Sequence, residues 1–158
     1  MTELLHGQGK ELAETTVLKA MHPGVLKCRP DASLRSVAEL LSANGVHAVI
    51  VYEQDVPSAE VVPWGVISAQ DLVAAALVRD VDEQVAAATA ATPLVLIAGD
   101  ETLERAAQLM TEHAVTHLVV VERETMHPVG VLSTLDIAAA LSGIRVRSGP
   151  PRAFRVAT

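Results

Sequence analysis

Apolar residues in this chain follow two spacings, and the pair of spacings occurs twice. Between residues 33 and 43 they recur at a helical period, Leu34, Val37, Ala38 and Leu41 falling at i, i+3, i+4 and i+7. Asn44-Gly45 then predicts a left-handed stop. Residues 46–52, VHAVIVY, form a near-continuous apolar run whose length and β-branched content predict a buried strand. After a polar loop at 53–60, residues 61–68 predict a second strand. Pro63 confines it to a sheet edge or to its own beginning, because proline cannot donate to the ladder. Antiparallel pairing of these two strands is the simplest connection, and an Ala/Leu/Val helix is expected over 69–79.

The same succession returns. Leu103, Ala106, Ala107 and Met110 repeat the helical stripe sixty-nine residues after its first copy, and residues 115–121 repeat the buried strand. Residues 129–133 and a helix at 134–142 close the second copy. The loop between its two strands is four residues shorter, so the offset falls to 65. Upstream, a short helix is expected over 10–21, broken by His22-Pro23-Gly24, with a strand at 25–28 and a turn at Arg29-Pro30-Asp31. Thr92-Pro93 answers His22-Pro23, and Leu94 to Ile97 answers the first strand. The chain is thus an internal repeat of order β-α-β-β-α, an α/β (α+β) fold whose two small units pack together through their sheets. The expected organisation is an N-terminal segment 1–15, repeats at 16–80 and 81–143, and a basic tail at 144–158 carrying Arg145, Arg147, Arg152 and Arg155.

One motif ends each copy: Gly65-Val66-Ile67-Ser68-Ala69-Gln70-Asp71 and Gly130-Val131-Leu132-Ser133-Thr134-Leu135-Asp136. A Ser closing a strand and an Asp in the first turn of the next helix lie side by side. Near them are the free N–H groups of a helix N-terminus. Either pair can simply cap its helix. A carboxylate beside a hydroxyl also suits neighbouring ribose hydroxyls, and the helix N-terminus favours an anion.

Composition narrows the reading. Half of the 158 residues are apolar and only three are aromatic, so a core of Val, Leu, Ile and Ala is expected. A formal charge of −7 argues against nucleic acid or an anionic membrane as partner. Cys28 is the single cysteine, which removes a disulfide framework. The polar first ten residues lack a signal-peptide core and no apolar run reaches membrane-spanning length, so a soluble cytoplasmic protein is expected. His113 and His117 are four apart without the Glu of a zinc protease motif, and no nucleophile elbow or P-loop is present. No catalysis and no metal site are expected.

The order and duplication of T-P, D-x-S/T-L, the V-V-V strand and G-h-h-S-x-x-D resemble the cystathionine-β-synthase (CBS) domain, and the tandem resembles a Bateman module. The resemblance implies a regulatory module, a homodimer, and an adenosine-type ligand such as AMP, ADP, ATP or S-adenosylmethionine. It implies Ser68 and Asp71 for one cleft and Ser133 and Asp136 for the other. Thr92 matches the T-P position, where the first copy has His22. Val25-Leu26 with Ala48-Val49, and Val95-Leu96 with His117-Leu118, resemble the base-framing walls. The effector protein is not implied. Basic residues are few near the motifs, thin support for di- or triphosphates. The competing readings are a constitutive dimerisation scaffold with vestigial clefts and a metal-binding stress protein.

Overall fold

Both copies fold in the expected order. The structure, a computed structural model, describes residues 10–54, 61–84, 86–90, 94–143 and 156–157. The chain divides into two spatial units, 1–24 with 95–152 and 25–94 with 153–158.

The second unit holds β2 (Lys27–Cys28), α2 (Leu34–Asn44), β3 (Ala48–Gln54), β4 (Val61–Ser68), α3 (Ala69–Ala76) and α4 (Ala86–Thr89). Its sheet runs β4-β3-β2-β8, where β8 is Val156–Ala157. β3 and β4 pair antiparallel and β2 pairs parallel to both β3 and β8. Among the described residues β4 lies at the edge of this sheet, one of the two placements that Pro63 allows. Ser33 caps α2 through its hydroxyl, which accepts from the Ser36 N–H, and Gly45 ends the helix at φ 61°. Leu34, Val37 and Leu41 turn inward onto Val49, Val51, Ile67 and Cys28.

The first unit repeats this with β5 (Leu96–Ala98), α5 (Leu103–His113), β6 (His117–Val121), β7 (Pro128–Ser133) and α6 (Thr134–Leu141). It adds two elements from the start of the chain, α1 (Val17–Ala20) and β1 (His22–Pro23), and its sheet runs β1-β7-β6-β5. Leu103, Ala106 and Met110 pack on Val17, Ile97, Leu118, Val120 and Leu132. Burying each large aliphatic side chain here contributes roughly 1.5–3 kcal/mol.

Each unit takes a helical turn from the start of the other repeat. Val17 N–H donates to the Glu101 carbonyl, and Ala86 N–H, sixty-nine residues on, donates to the Ala32 carbonyl. Val17 and Ala86 are both fully buried. The spatial units therefore differ from the two stretches of sequence that repeat.

Three expectations need correction. The single helix over 10–21 is two pieces, a helical turn at 10–14 and α1, because Thr16 between them bridges to Thr102. The helix expected over 69–79 is regular only to Ala76. In the basic tail Val156–Ala157 is a strand on β2; residues 144–155 lie outside the described residues.

Candidate functional site

The hairpin of each unit contains the same irregularity. Val51 opposes Gly65 but Tyr52 opposes Pro63, leaving Trp64 as an extra residue; Val120 opposes Gly130 but Val121 opposes Pro128, leaving Val129. In both hairpins the bulge adjoins a proline, which has no N–H to give the ladder. Beyond it the ladder runs in register to its end, where Ala48 lies opposite Ser68 and His117 opposite Ser133.

At that end the two Ser-x-x-Asp motifs form capping boxes. In the second unit the Asp71 N–H donates to Ser68 Oγ at 3.1 Å, while the Ser68 N–H and hydroxyl donate to Asp71 Oδ2 at 2.9 and 2.8 Å. In the first unit the corresponding distances are 3.2, 2.8 and 3.0 Å. The capping role foreseen for these residues is thus in place twice. The boxes occupy one oxygen of each carboxylate. Asp71 Oδ1 has no hydrogen-bond partner among the described residues.

The Asp136 Oδ1 is engaged. β1 pairs antiparallel with β7, His22 opposite Val131, and this brings His22 Nδ1 to 3.0 Å from Asp136 Oδ1. The Asp136 side chain is 4 % exposed and that of His22 is 52 % exposed. Close approach of the strands is secured at Gly130, where a Cβ would stand 2.5 Å from the His22 carbonyl oxygen. The contact was not foreseen from sequence, although His22 was already among the candidate residues. Its counterpart Thr92 lies outside the described residues.

The wall residues divide by the direction of their side chains. Ile50 N–H donates to the Leu26 carbonyl and Val119 N–H donates to the Val95 carbonyl, so the first strands adjoin the second strands as expected. These bonds make Leu26 the counterpart of Val95. The pairing of Val25-Leu26 with Val95-Leu96 is therefore one residue out of register. Gly24, at φ 85°, is the extra residue that the first copy holds between its proline and its strand. Val49 and Leu118 are fully buried in the core clusters and Leu26 and Val95 pack against them, leaving Val25, Ala48, Leu96 and His117 as the wall positions outside those clusters. Thr116 Oγ1 lies 2.9 Å from His117 Nδ1.

Other chemistry is sparse. Burial pushes the Cys28 thiol up to about 12, which makes it a core side chain rather than a nucleophile. Burial also lowers the Lys27 ammonium below its ordinary value. Among the described residues no three His, Cys, Asp or Glu side chains converge as metal ligands. No helix among them is long and apolar enough to cross a membrane. A cavity of about 260 Å³ in the first unit, lined by residues including Leu96, Leu109, Arg105 and Arg123, includes none of the motif residues Ser133, Asp136 or His22.

A duplicated β-α-β-β-α unit ending in Ser-x-x-Asp capping boxes defines the class. The CBS domain family model matches residues 15–78 and again 79–143, and the chain belongs to that family as a tandem pair. Among solved structures, the CBS domain of a bacterial CNNM/CorC family Mg2+ transporter in complex with ATP is similar at 22% identity. The match covers 90% of this chain and 97% of that one, with a TM-score of 0.69. A CBS domain pair in complex with 5′-methylthioadenosine and S-adenosyl-L-methionine is 16% identical over 82% of this chain and 97% of that one, TM-score 0.69. A hexameric CBS-CP12 protein from bloom-forming cyanobacteria is 20% identical over 78% of this chain and 69% of that one, TM-score 0.69. No curated protein matches.

Proposed function

We propose that the chain is a non-catalytic regulatory module that binds an adenosine-containing ligand at its Ser-x-x-Asp sites and passes the bound state to a partner protein. The carrying observation is that Ser68 with Asp71, and Ser133 with Asp136, stand at the same sheet end, at a helix N-terminus, in both units. A carboxylate with one oxygen fixed by its own helix cap presents the other in a set direction. That arrangement suits ribose hydroxyls, and the helix N-terminus suits a phosphate or carboxylate. Relatives of the same fold hold ATP, 5′-methylthioadenosine and S-adenosylmethionine, which supports this ligand class. Signalling then requires the ligand to favour one arrangement of the protein over another.

The proposal includes a second copy of the chain and a cytoplasmic location. α3 buries none of its residues, and Val73, Leu77 and Val78 on and just after it are 63, 85 and 78 % exposed. An apolar face of that kind is normally covered in a soluble protein.

Calorimetric titration with AMP, ADP, ATP, adenosine and S-adenosylmethionine tests the reading, alongside Asp71→Asn and Asp136→Asn. Micromolar binding weakened at least tenfold by one substitution is the expected result. Binding untouched by both would move the ligand elsewhere. Absence of binding would favour a dimerisation scaffold, a reading supported by the capping boxes, which account for both Ser-Asp pairs without any ligand.

A further inference from the structure

We infer that His22 is the residue that decides which of the two Ser-x-x-Asp sites is open: it holds the Asp136 site shut, as a built-in competitor for the oxygen a ligand would use. The inference rests on the ligand reading above and adds to it the residue that sets the number of live sites.

Three observations carry it. Asp136 spends Oδ2 on its helix cap and Oδ1 on His22, so both carboxylate oxygens are engaged from within the protein. The imidazole is also placed by backbone, because β1 pairs with β7 through His22 and Pro23, and Gly24 N–H donates to the Val129 carbonyl at 3.0 Å. With the backbone fixed in this way, only the two side-chain torsions of His22 are ordered by the contact, which favours it over a ligand hydroxyl arriving from solution. Finally, the position is chemically different in the two copies: His22 in one T-P-like position, Thr92 in the other. A threonine hydroxyl is smaller than an imidazole and both donates and accepts, so it can join a hydrogen-bond network around a ligand. Imidazole Nδ1 on Oδ1 takes one of that oxygen's acceptor positions and sets a bulkier ring beside it.

His22 is a positioning residue in this account, and its substitution by Thr makes the first copy match the second. In calorimetric titration of the full chain with AMP, ATP and S-adenosylmethionine, the wild-type protein should bind one equivalent. His22→Thr should bind two, and His22→Thr combined with Asp136→Asn should return to one. A wild-type protein that already takes two equivalents would overturn the inference, as would a His22→Thr variant with no added site. If the wild-type chain binds none of the three, the ligand reading fails for the Asp71 site. Binding gained in His22→Thr would then still support the latch, and silence in that variant would overturn it. A ligand-free measurement separates the contact from its consequence. Long-range proton–nitrogen spectra of the His22 ring should shift at Nδ1 on Asp136→Asn but not on Asp71→Asn. An unchanged Nδ1 signal would overturn the contact itself.

Discussion

Asp71 and Asp136 have the same local structure and different surroundings. Each sits at the third position of a helix, accepts from the Ser that precedes that helix, and has its own N–H received by the same Ser. Yet Asp136 is buried with a second partner, while Asp71 is half-buried with one oxygen unpartnered among the described residues. Seven residues of sequence are enough to write a capping box, since all its bonds are local. The accessibility of its carboxylate is written elsewhere in the chain, by the segment that lies against the neighbouring strand edge. A duplicated motif therefore duplicates a scaffold and leaves each copy's chemistry to be set from outside it.

The largest expected effect tests how far the two units are equivalent in stability. Leu34 and Leu103 are the first residues of their helices, sixty-nine positions apart, and both are fully buried. Either change to Ala removes core contacts and leaves a cavity, at a cost of about 2–5 kcal/mol. Urea unfolding followed by fluorescence of Trp64, in the second unit, and by amide exchange in both units should show two similar losses. If Leu103→Ala left the Trp64 transition in place, the units would unfold independently, and each site would have to be analysed as its own equilibrium.

A smaller effect should separate the two carboxylates without any ligand. Asp136→Ala strands the Ser133 N–H and hydroxyl in a buried place and leaves His22 Nδ1 without its acceptor, so a loss of about 1–3 kcal/mol is expected. Asp71→Ala opens a half-buried cap that water can reach, at about 0.5–2 kcal/mol. The comparison is read from the urea midpoints of the two variants. Equal losses would mean that the His22 contact adds nothing to stability.

Much of this architecture was legible because its causes are local. The stripes Leu34-Val37-Leu41 and Leu103-Ala106-Met110, the Pro63 edge and both Ser-Asp junctions can be read from short windows. The parts that escaped depend on distant segments. Residues 86–89, Ala-Ala-Ala-Thr, have no apolar period of their own and become helical where Ala86 is buried against the first repeat. Thr16 breaks a plausible helix only because Thr102 is there to bridge it. The contact of His22 with Asp136 requires β1 to cross to the sheet of the other repeat. One missed detail was in the sequence all along. His22 precedes Thr92 by 70 positions and Leu34 precedes Leu103 by 69, which marks the extra residue at Gly24 and the shifted wall register.

The smallest expected effect concerns two ion pairs that occupy different places in the two units. In the second unit Arg35 Nη2 donates to Asp82 Oδ2 at 2.9 Å, joining α2 to the turn before α4. In the first, Arg123 donates to Asp100 and Glu101 at 2.8 and 3.0 Å, joining the β6–β7 turn to the start of α5. The bond from Arg35 holds the Asp82 carboxyl below the usual carboxylate range, and the bond from Arg123 does the same for Asp100. A depressed folded-state value means that the stabilisation is complete above the unfolded value of about 3.9 and is lost as pH falls through the folded one. Stability should therefore decline below about pH 4, more steeply than in Arg123→Gln or Arg35→Gln, and salt should shrink the difference because both pairs are exposed. Urea midpoints at pH 7, 4 and 3, in low and high salt, measure this. Each substitution should flatten the acid limb in the unit that holds it. A flattening of both limbs by Arg123→Gln alone would show that the units share one unfolding transition, and the difference between the two carboxylate sites would then be a difference in access within a single cooperative body.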